Sequence, residues 1–399
     1  MNVAGSNPTQ PLSGIRVIDF TQVMLGPCAT QVLGDYGADV IKIERIGAGD
    51  LSRSSISDDP DGPQNPVFCS LNRNKRSIAI DLRQDAGRAI VRKLAETADV
   101  VVNNFRAGVM ERMGFGYEDL RRINQRIIFA FGTGFGPEGP YAHKGGQDVL
   151  AQALSGVMAR KADASLPLSV YPTALADYAA GMHLVQGVLL ALLQRERTGA
   201  GQVVSVSLYD SMLAMQMQES AMWMMREREL NWAAMPLTGV FETSDGALVL
   251  VGAFKANPLR DISVALKIDD LCRDGRFSSF ELMVKNKKVL QDTLRAQFRT
   301  QTTAHWIAAL EAQDLLCAPV KSLADALTDP QTVVNGMVVQ LKVGNELLKL
   351  VGSPIHLSGD GFALRAVPPR LGQDGEEILK EYGYGRDAIA ALKAQGTVA

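Results

Sequence analysis

One carboxylate in this chain stands at the threshold of an otherwise apolar segment. In "ALADYAAGMHLVQGVLLALLQRERTGAGQ", Ala174 to Gln202, Asp177 precedes a long apolar run. An acid in that position ordinarily opens a helix, its oxygens accepting from the free amides of the first turn. Local pattern alone therefore reads Asp177 as a cap, and the case for a nucleophile has to come from other segments. The remaining reactive side chains form no constellation. Cys28, Cys69, Cys272 and Cys317 are far apart with no Cys-x-x-Cys pair, which reads as buried thiols in a reducing compartment. His143, His183, His305 and His356 lack metal-ligand spacing, so no metal site is expected. The Gly/Pro-dense loop "GTGFGPEGP", Gly132–Pro140, breaks the dinucleotide fingerprint because position 137 is proline.

The elements that must position Asp177 alternate over the first 135 or so residues. "IRVIDF" is strand-like, "GPCATQVLGDYG" is a helix closed by Gly37, and "ADVIKIER" is a second strand. "SIAIDL" (Ser77–Leu82), "DAGRAIVRKLAETA", "DVVVNNF" and "RIIFAFG" repeat the theme. Such βαβ units predict an α/β fold with a parallel Rossmann-like sheet and helices on both faces. "GTGFGPEGP" then leaves the carboxyl end of a strand, where ligands bind in open α/β sheets. Two long helices are expected around Asp148–Ala159 and Asp177–Arg197, followed by a strand in "QVVSVSLYD". A smaller α+β domain is expected over residues 224–325, with helices near Asn257–Leu266, Lys285–Arg299 and Thr303–Gln313. Residues 11–223 form the first part of the large domain and 326–399 return to it, with a last helix near Glu376–Tyr384.

Bulk properties exclude several classes. The 399 residues are 46% hydrophobic and 21% charged, with 41 basic and 43 acidic side chains; this is ordinary for a soluble globular protein. Without a basic run, a nucleic-acid partner is not expected. The N-terminus has neither the basic start nor the apolar core of a signal peptide. "GVLLALL" is far short of the roughly 20 residues that span a bilayer. A cytoplasmic protein without a membrane partner is the expectation.

Six ordered stretches resemble the family III CoA-transferases: "PLSGIRVIDFTQVMLGPCATQVLGDYGADVIKIERIGAGDLSR", "NRNKRSIAIDL", "NFRAGVMERMGFGYEDLRRIN", "GFGPEGPYAHKGGQDVLAQALSG", "LADYAAG" and "RERTGAGQVVSVSLYDSML". Further matches occur at "DGRFSS", "CAPVKSLADAL" and "DPQTVVNGMV". This family includes formyl-CoA:oxalate and carnitine CoA-transferases, with the α-methylacyl-CoA racemases as divergent relatives. The resemblance implies that Asp177 is the nucleophile. Its carboxylate attacks an acyl-CoA thioester to give a mixed anhydride, then an aspartyl-CoA thioester whose CoA passes to an acceptor acid. A carboxylate of pKa about 3.9 needs no base to be ionised at neutral pH, and a helix N-terminus favours the anion. Coenzyme A enters as the thioester substrate, with no permanently bound cofactor. Interlocked homodimers, each subunit a ring threaded through the other, are likewise an implication of the resemblance.

Around CoA the resemblance places Arg45, Ile80, Asp81, Leu82, Arg83, Asn104, Phe105, Arg112 and Lys144, with Gln22, Val23, Met24 and Leu25 lining the channel near the thioester. Arg45 and Lys144 stand where strand ends give way to loops, which suits anion binding; an ordinary surface charge is the alternative for each. Lys75 and Arg76 read equally well as structural. In the racemases the motif before the helix is Gly-His-Asp; here it is "GGQD", with Gln147 in the histidine place. Glutamine carries no titratable proton, which disfavours an acyl-CoA racemase or epimerase, and His143 would need an unusual loop path to replace it. Gln147 retains the ability to donate to a carbonyl. A non-catalytic CoA-binding protein is the other alternative. The small domain lacks the run of glycines that covers the intermediates in formyl-CoA:oxalate enzymes; Trp232 and Met235 in "NWAAMPLTGVFETSDG" are candidates for that shielding. The acceptor is expected to be a small carboxylic acid, dicarboxylic acids included, with Arg73, Arg106 and Lys255 as candidates to pair a distal carboxylate.

Overall fold

The computed structural model describes residues 9–55, 65–163, 165–343 and 346–399. Two compact units are present. One comprises residues up to 157, 170–216 and 331–399; the other comprises 158–169 and 217–330.

The larger unit is built on a six-stranded sheet in the order β3-β2-β1-β4-β5-β6. Its strands are β1 (Arg16–Asp19), β2 (Asp39–Glu44), β3 (Lys75–Ala79), β4 (Val100–Asn103), β5 (Ile128–Thr133) and β6 (Val203–Ser207). Every neighbouring pair is parallel. The Val/Ile-rich runs suit strands covered on both faces. Alternation along each strand divides the core in two. Val17, Val100, Val102 and Ile128 pack under the Leu25–Asp35 and Leu175–Thr198 helices. Ile18, Val101 and Phe129 face the other way, packing with Ile90 and Leu94 of the Asp85–Ala95 helix and with Ile378 and Ile389. Strand order reverses between β1 and β4, and ligands of such sheets bind at the carboxyl ends beside that switch.

Several elements differ from the sequence reading. β3 begins at Lys75 rather than Ser77, because two cations inside it are paired. Lys75, fully buried, lies 3.1 Å from Asp19, and Arg76 pairs with Asp39 and Glu381 at 2.8 and 2.6 Å. The helix expected over Asp148–Ala159 spans only Asp148–Leu154. β6 stops at Ser207, whose Oγ accepts from the Asp210 amide at 2.9 Å and starts the Leu208–Met215 helix. After the Gly375–Glu381 helix an unexpected one follows, Arg386–Ala394. The end of the chain then closes on the β3 edge: Val398 bridges Ile80, and Asp81 donates its amide to the Thr397 carbonyl at 3.0 Å.

In the smaller unit β7 (Thr238–Glu242), β8 (Ala247–Val251) and β9 (Leu316–Pro319) form an antiparallel sheet. It packs on the helices Pro258–Leu266, Lys287–Phe298 and Thr303–Glu311 around Phe241, Phe298 and Trp306. Segment 158–169, read from sequence as part of the large domain, belongs to this unit. Arg160 pairs with Glu219 at 3.6 Å, and the side chains of Asn231 and Lys287 donate to the carbonyls of Lys161 and Ala162. β10 (Val338–Val343) and β11 (Glu346–Val351) form a hairpin in the larger unit.

The Leu175–Thr198 helix is long and apolar enough by length and composition to cross a membrane. Here its Ala180, Gly181, Leu184, Val188 and Ala191 lie in the core above the sheet.

Candidate active site

Asp177 sits in the first turn of the Leu175–Thr198 helix, but it is not the cap. Ala174 occupies the N-cap position and no side chain of this helix caps it. The free amides of Ala176 and Asp177 donate instead to Asp148 Oδ1, at 2.6 and 3.0 Å. Asp148 is buried, and its other oxygen accepts from Gln152 at 2.6 Å. A capping carboxylate brought in from another helix leaves the Asp177 side chain available to point elsewhere. That side chain faces the backbone amide of Leu25, which favours its ionised form and belongs to the first residue of the Leu25–Asp35 helix. Gly181, one turn further on, permits this approach: a methyl group there would lie 2.8 Å from the Leu25 carbonyl oxygen.

The electrostatics depart from the expectation that the helix start keeps Asp177 strongly anionic. Burial and the neighbouring charge of Asp148 push its carboxyl up from 3.8 to about 6, against the Leu25 amide, which lowers it. Desolvation and a like charge both disfavour the ionised form, and one amide does not offset them. A carboxyl so shifted in a cleft marks a functional candidate. Cys28 is pushed up to about 11, chiefly by burial, so it stays a thiol. Cys28 and Cys69 are buried as expected, whereas Cys272 is exposed and Cys317 half-buried.

Asp177 opens into a cavity of about 630 Å³ lined also by Gln22, Val23, Met24, Leu25, Asn104, Phe105, Lys144 and Gln147. A second cavity of about 670 Å³ is lined by Arg45, Ile80, Asp81, Leu82 and Arg83. Gln22, Leu51 and Phe105 border both, so the two are adjacent at the switch between β1 and β4. Both volumes fall in the ordinary range of ligand pockets. Arg112 lines neither; it is exposed, while its neighbours Val109 and Met113 border the second cavity. His143 lines neither as well, although Ala142 and Lys144 border the first.

The loop after β1 is held by a clasp across the switch. Asn104 Oδ1 accepts from the Gln22 amide at 2.8 Å, and its Nδ2 donates to the Gln22 carbonyl at 2.7 Å. Val23 follows at φ +65°, a left-handed conformation costing a β-branched residue on the order of 1–3 kcal/mol. Its amide donates to Asp50 Oδ1 at 3.0 Å, and the other Asp50 oxygen lies 2.8 Å from the fully buried Lys42 ammonium. Asn104 and Asp50 therefore impose the path that delivers the Leu25 amide to Asp177. Neither Asp50 nor Asp148 was singled out from sequence. Asp148 lies 29 positions before Asp177, and no local pattern links them.

The loop after β5 reaches the site through close backbone contact. A methyl group on Gly134 or Gly146 would lie within 2.4 Å of the other's Cα. Only glycines allow this crossing, which sets Gln147 on the cavity wall as N-cap of the Asp148–Leu154 helix.

The cations are differently employed. Lys75 is buried against Asp19, and Arg73 pairs with the buried Asp35 at 2.7 Å. In the smaller unit Lys255 pairs with Asp261 at 3.2 Å. Arg83, exposed, pairs with Asp81 at 2.8 Å and holds that carboxyl below its usual range. Arg45, Arg106 and Lys144 make no ion pair among the described residues.

The family model for CoA-transferase family III matches residues 12–375. Succinyl-CoA:glutarate CoA-transferase of Mus musculus is 35% identical, covering 98% of this chain and 90% of its own. Acetyl-CoA:oxalate CoA-transferase of Acetobacter aceti is 34% identical, covering 94% of this chain and 97% of its own. The crystal structure of a CAIB/BAIF family protein from Brucella suis superposes with a TM-score of 0.85 at 29% identity, covering 94% of this chain and 99% of that one. A match that runs through both cavities and nearly the whole length of such relatives leaves one assignment: the chain belongs to CoA-transferase family III and is a CoA-transferase.

Proposed function

We propose that Asp177 carries the acyl-CoA:carboxylate transfer as a covalent nucleophile, with a short acyl-CoA as donor and a small carboxylic acid as acceptor. One observation carries the reading: among the described residues lining its cavity, Asp177 is the only acid, and it faces the Leu25 backbone amide.

The Asp177 carboxylate attacks the thioester carbonyl and expels the CoA thiolate, giving an aspartyl–acyl anhydride. The thiolate attacks the aspartyl carbonyl, releases the donor acid and leaves an aspartyl-CoA thioester. The acceptor carboxylate repeats the exchange in reverse, forming its own anhydride with Asp177. The thiolate then takes the new acyl group and frees Asp177. Covalent catalysis thus divides one difficult exchange into simpler ones. At neutral pH a carboxyl of pKa about 6 is mostly ionised and more basic than an ordinary aspartate. Gln147, on the same wall, is suited to donate to the carbonyl oxygen as charge develops. The neighbouring cavity with Arg45, Arg83 and the Ile80–Leu82 edge suits the nucleotide part of CoA, since cations match phosphate. The relatives named for oxalate and glutarate transfer support a small acid as acceptor. The working enzyme is proposed to be an interlocked homodimer, for which light scattering should return twice the chain mass.

The test is peptide mass analysis after brief incubation with succinyl-, formyl- or acetyl-CoA in deuterated water, with Asp177→Ala beside it. An acyl or CoA adduct on the Asp177 peptide, absent from the variant, is the expected result. Deuterium at the substrate α-carbon without an adduct would overturn it in favour of racemisation, and CoA binding with neither signal would leave a binding protein.

A further inference from the structure

We infer that Arg106 reads the distal carboxylate of the acid, so that the site selects dicarboxylic over monocarboxylic substrates; this rests on the transfer reading above. Of the three residues whose charge suited that role in the sequence, two are already engaged. Arg73 is buried on Asp35, and Lys255 of the smaller unit is paired with Asp261. Arg106 follows β4 and lines the same cavity as Asp177. It has no acid partner among the described residues.

Its guanidinium is tied to the nucleophile by a short run of chain. A methyl group on Gly145 would lie 2.8 Å from Arg106 Nη2, so the guanidinium rests against that glycine. Three residues later Asp148 binds the Asp177 amide. Three Cα–Cα steps of ~3.8 Å limit the Gly145–Asp148 span to about 11 Å. The intervening Gly146 is fixed by its backbone contact with Gly134. A short dicarboxylic acid acylated at Asp177 carries its distal carboxylate about 4–5 Å from the acyl carbon, and a hydrogen bond adds about 3 Å more, a reach that lies within this upper limit. Lys144 borders the cavity beside it, its ammonium 3.9 Å from the Tyr141 ring centre, and adds to the positive potential. The phosphates of CoA are the other possible anion. They lie a long pantetheine arm away from the thioester, and Arg45 and Arg83 line the neighbouring cavity for them. A planar guanidinium also matches a carboxylate with two parallel hydrogen bonds.

The experiment compares kcat/KM for succinate and succinamate, the same chain with its distal carboxylate replaced by an amide, in wild type, Arg106→Gln and Arg106→Lys. Arg106 is exposed, so these variants should fold, and a thermal midpoint checks that they do. The expected result is that the succinate preference of wild type falls in Arg106→Gln by roughly 10- to 100-fold, the range of a charge-assisted hydrogen bond. Arg106→Lys recovers part of it, and the change is carried by the KM of the acid. An equal loss for both acids would place Arg106 on CoA and overturn the inference, as would an unchanged ratio. If no acid accepts CoA even in wild type, the transfer reading itself fails; transfer with an indifferent ratio sinks only the assignment of Arg106.

Discussion

At the scale of the residue, Asp177 carries an electrostatic load while it waits for substrate. With its carboxyl at about 6, kcat/KM should rise with pH along a limb centred near 6, as the proposed nucleophile ionises. Asp148→Asn retains an oxygen for the two amides and removes the like charge, so the limb should move to lower pH; stopped assays across pH 4.5–8 would show whether it does. The same load appears in stability. Because the folded value lies above the ordinary 3.8, folding favours the protonated form, and the penalty is complete above about pH 6 and absent below 3.8. Asp177→Asn should therefore be inactive yet more stable at pH 7, by up to about 2 kcal/mol after allowing for the solvent that reaches this half-buried group. Thermal melts at pH 7 and pH 3.5 should show the gain at the first and not at the second. Under the proposed mechanism, acylation of Asp177 neutralises one of the two neighbouring carboxylates and relieves the repulsion between them.

At the scale of the element, the site depends on how closely two helices approach. Alanine in a helix is ordinarily better than glycine by about 1 kcal/mol, but Gly181→Ala would drive a methyl group to 2.8 Å from the Leu25 carbonyl. We expect it to destabilise by about 1–3 kcal/mol, as overpacked cores do, and to lower kcat by displacing the amide that aims Asp177. A urea midpoint equal to or above wild type would show that the helices part freely. The alternation of strands and helices made the sheet legible from sequence, because buried parallel strands read as Val/Ile runs. The start of β3 was not legible, since Lys75 and Arg76 look like turn residues until Asp19, Asp39 and Glu381 are seen beside them. Asp177 was legible as the acid at a helix start, but the residue that caps that helix was not. Asp148 acts across 29 positions, and sequence patterns report neighbours within a turn.

At the scale of the molecule, the chain returns to finish what its first half begins. Val398 is 3% exposed and packs with Ile80 and Ile378 beneath the cavity lined by Arg45. Val398→Asp buries an unpaired charge there, and we expect a loss of about 3 kcal/mol or more together with weaker CoA binding, measured by calorimetry; full retention of both would show that the terminal segment is ornamental. Resemblance along the chain led to the expectation that residues near the C-terminus rejoin the sheet domain; their seat on the β3 edge depends on contacts some 300 positions apart, such as Gln84 with Thr397. That separation also sets the order in which the protein can be made. The smaller unit is complete once residue 330 has emerged, but the β3 edge waits for later segments, first Asp374 against Ser77 and then Val398 against Ile80. During synthesis the inserted domain can thus fold while the β3 edge still waits for its partners, and closure of that edge should be the late, slow phase of refolding.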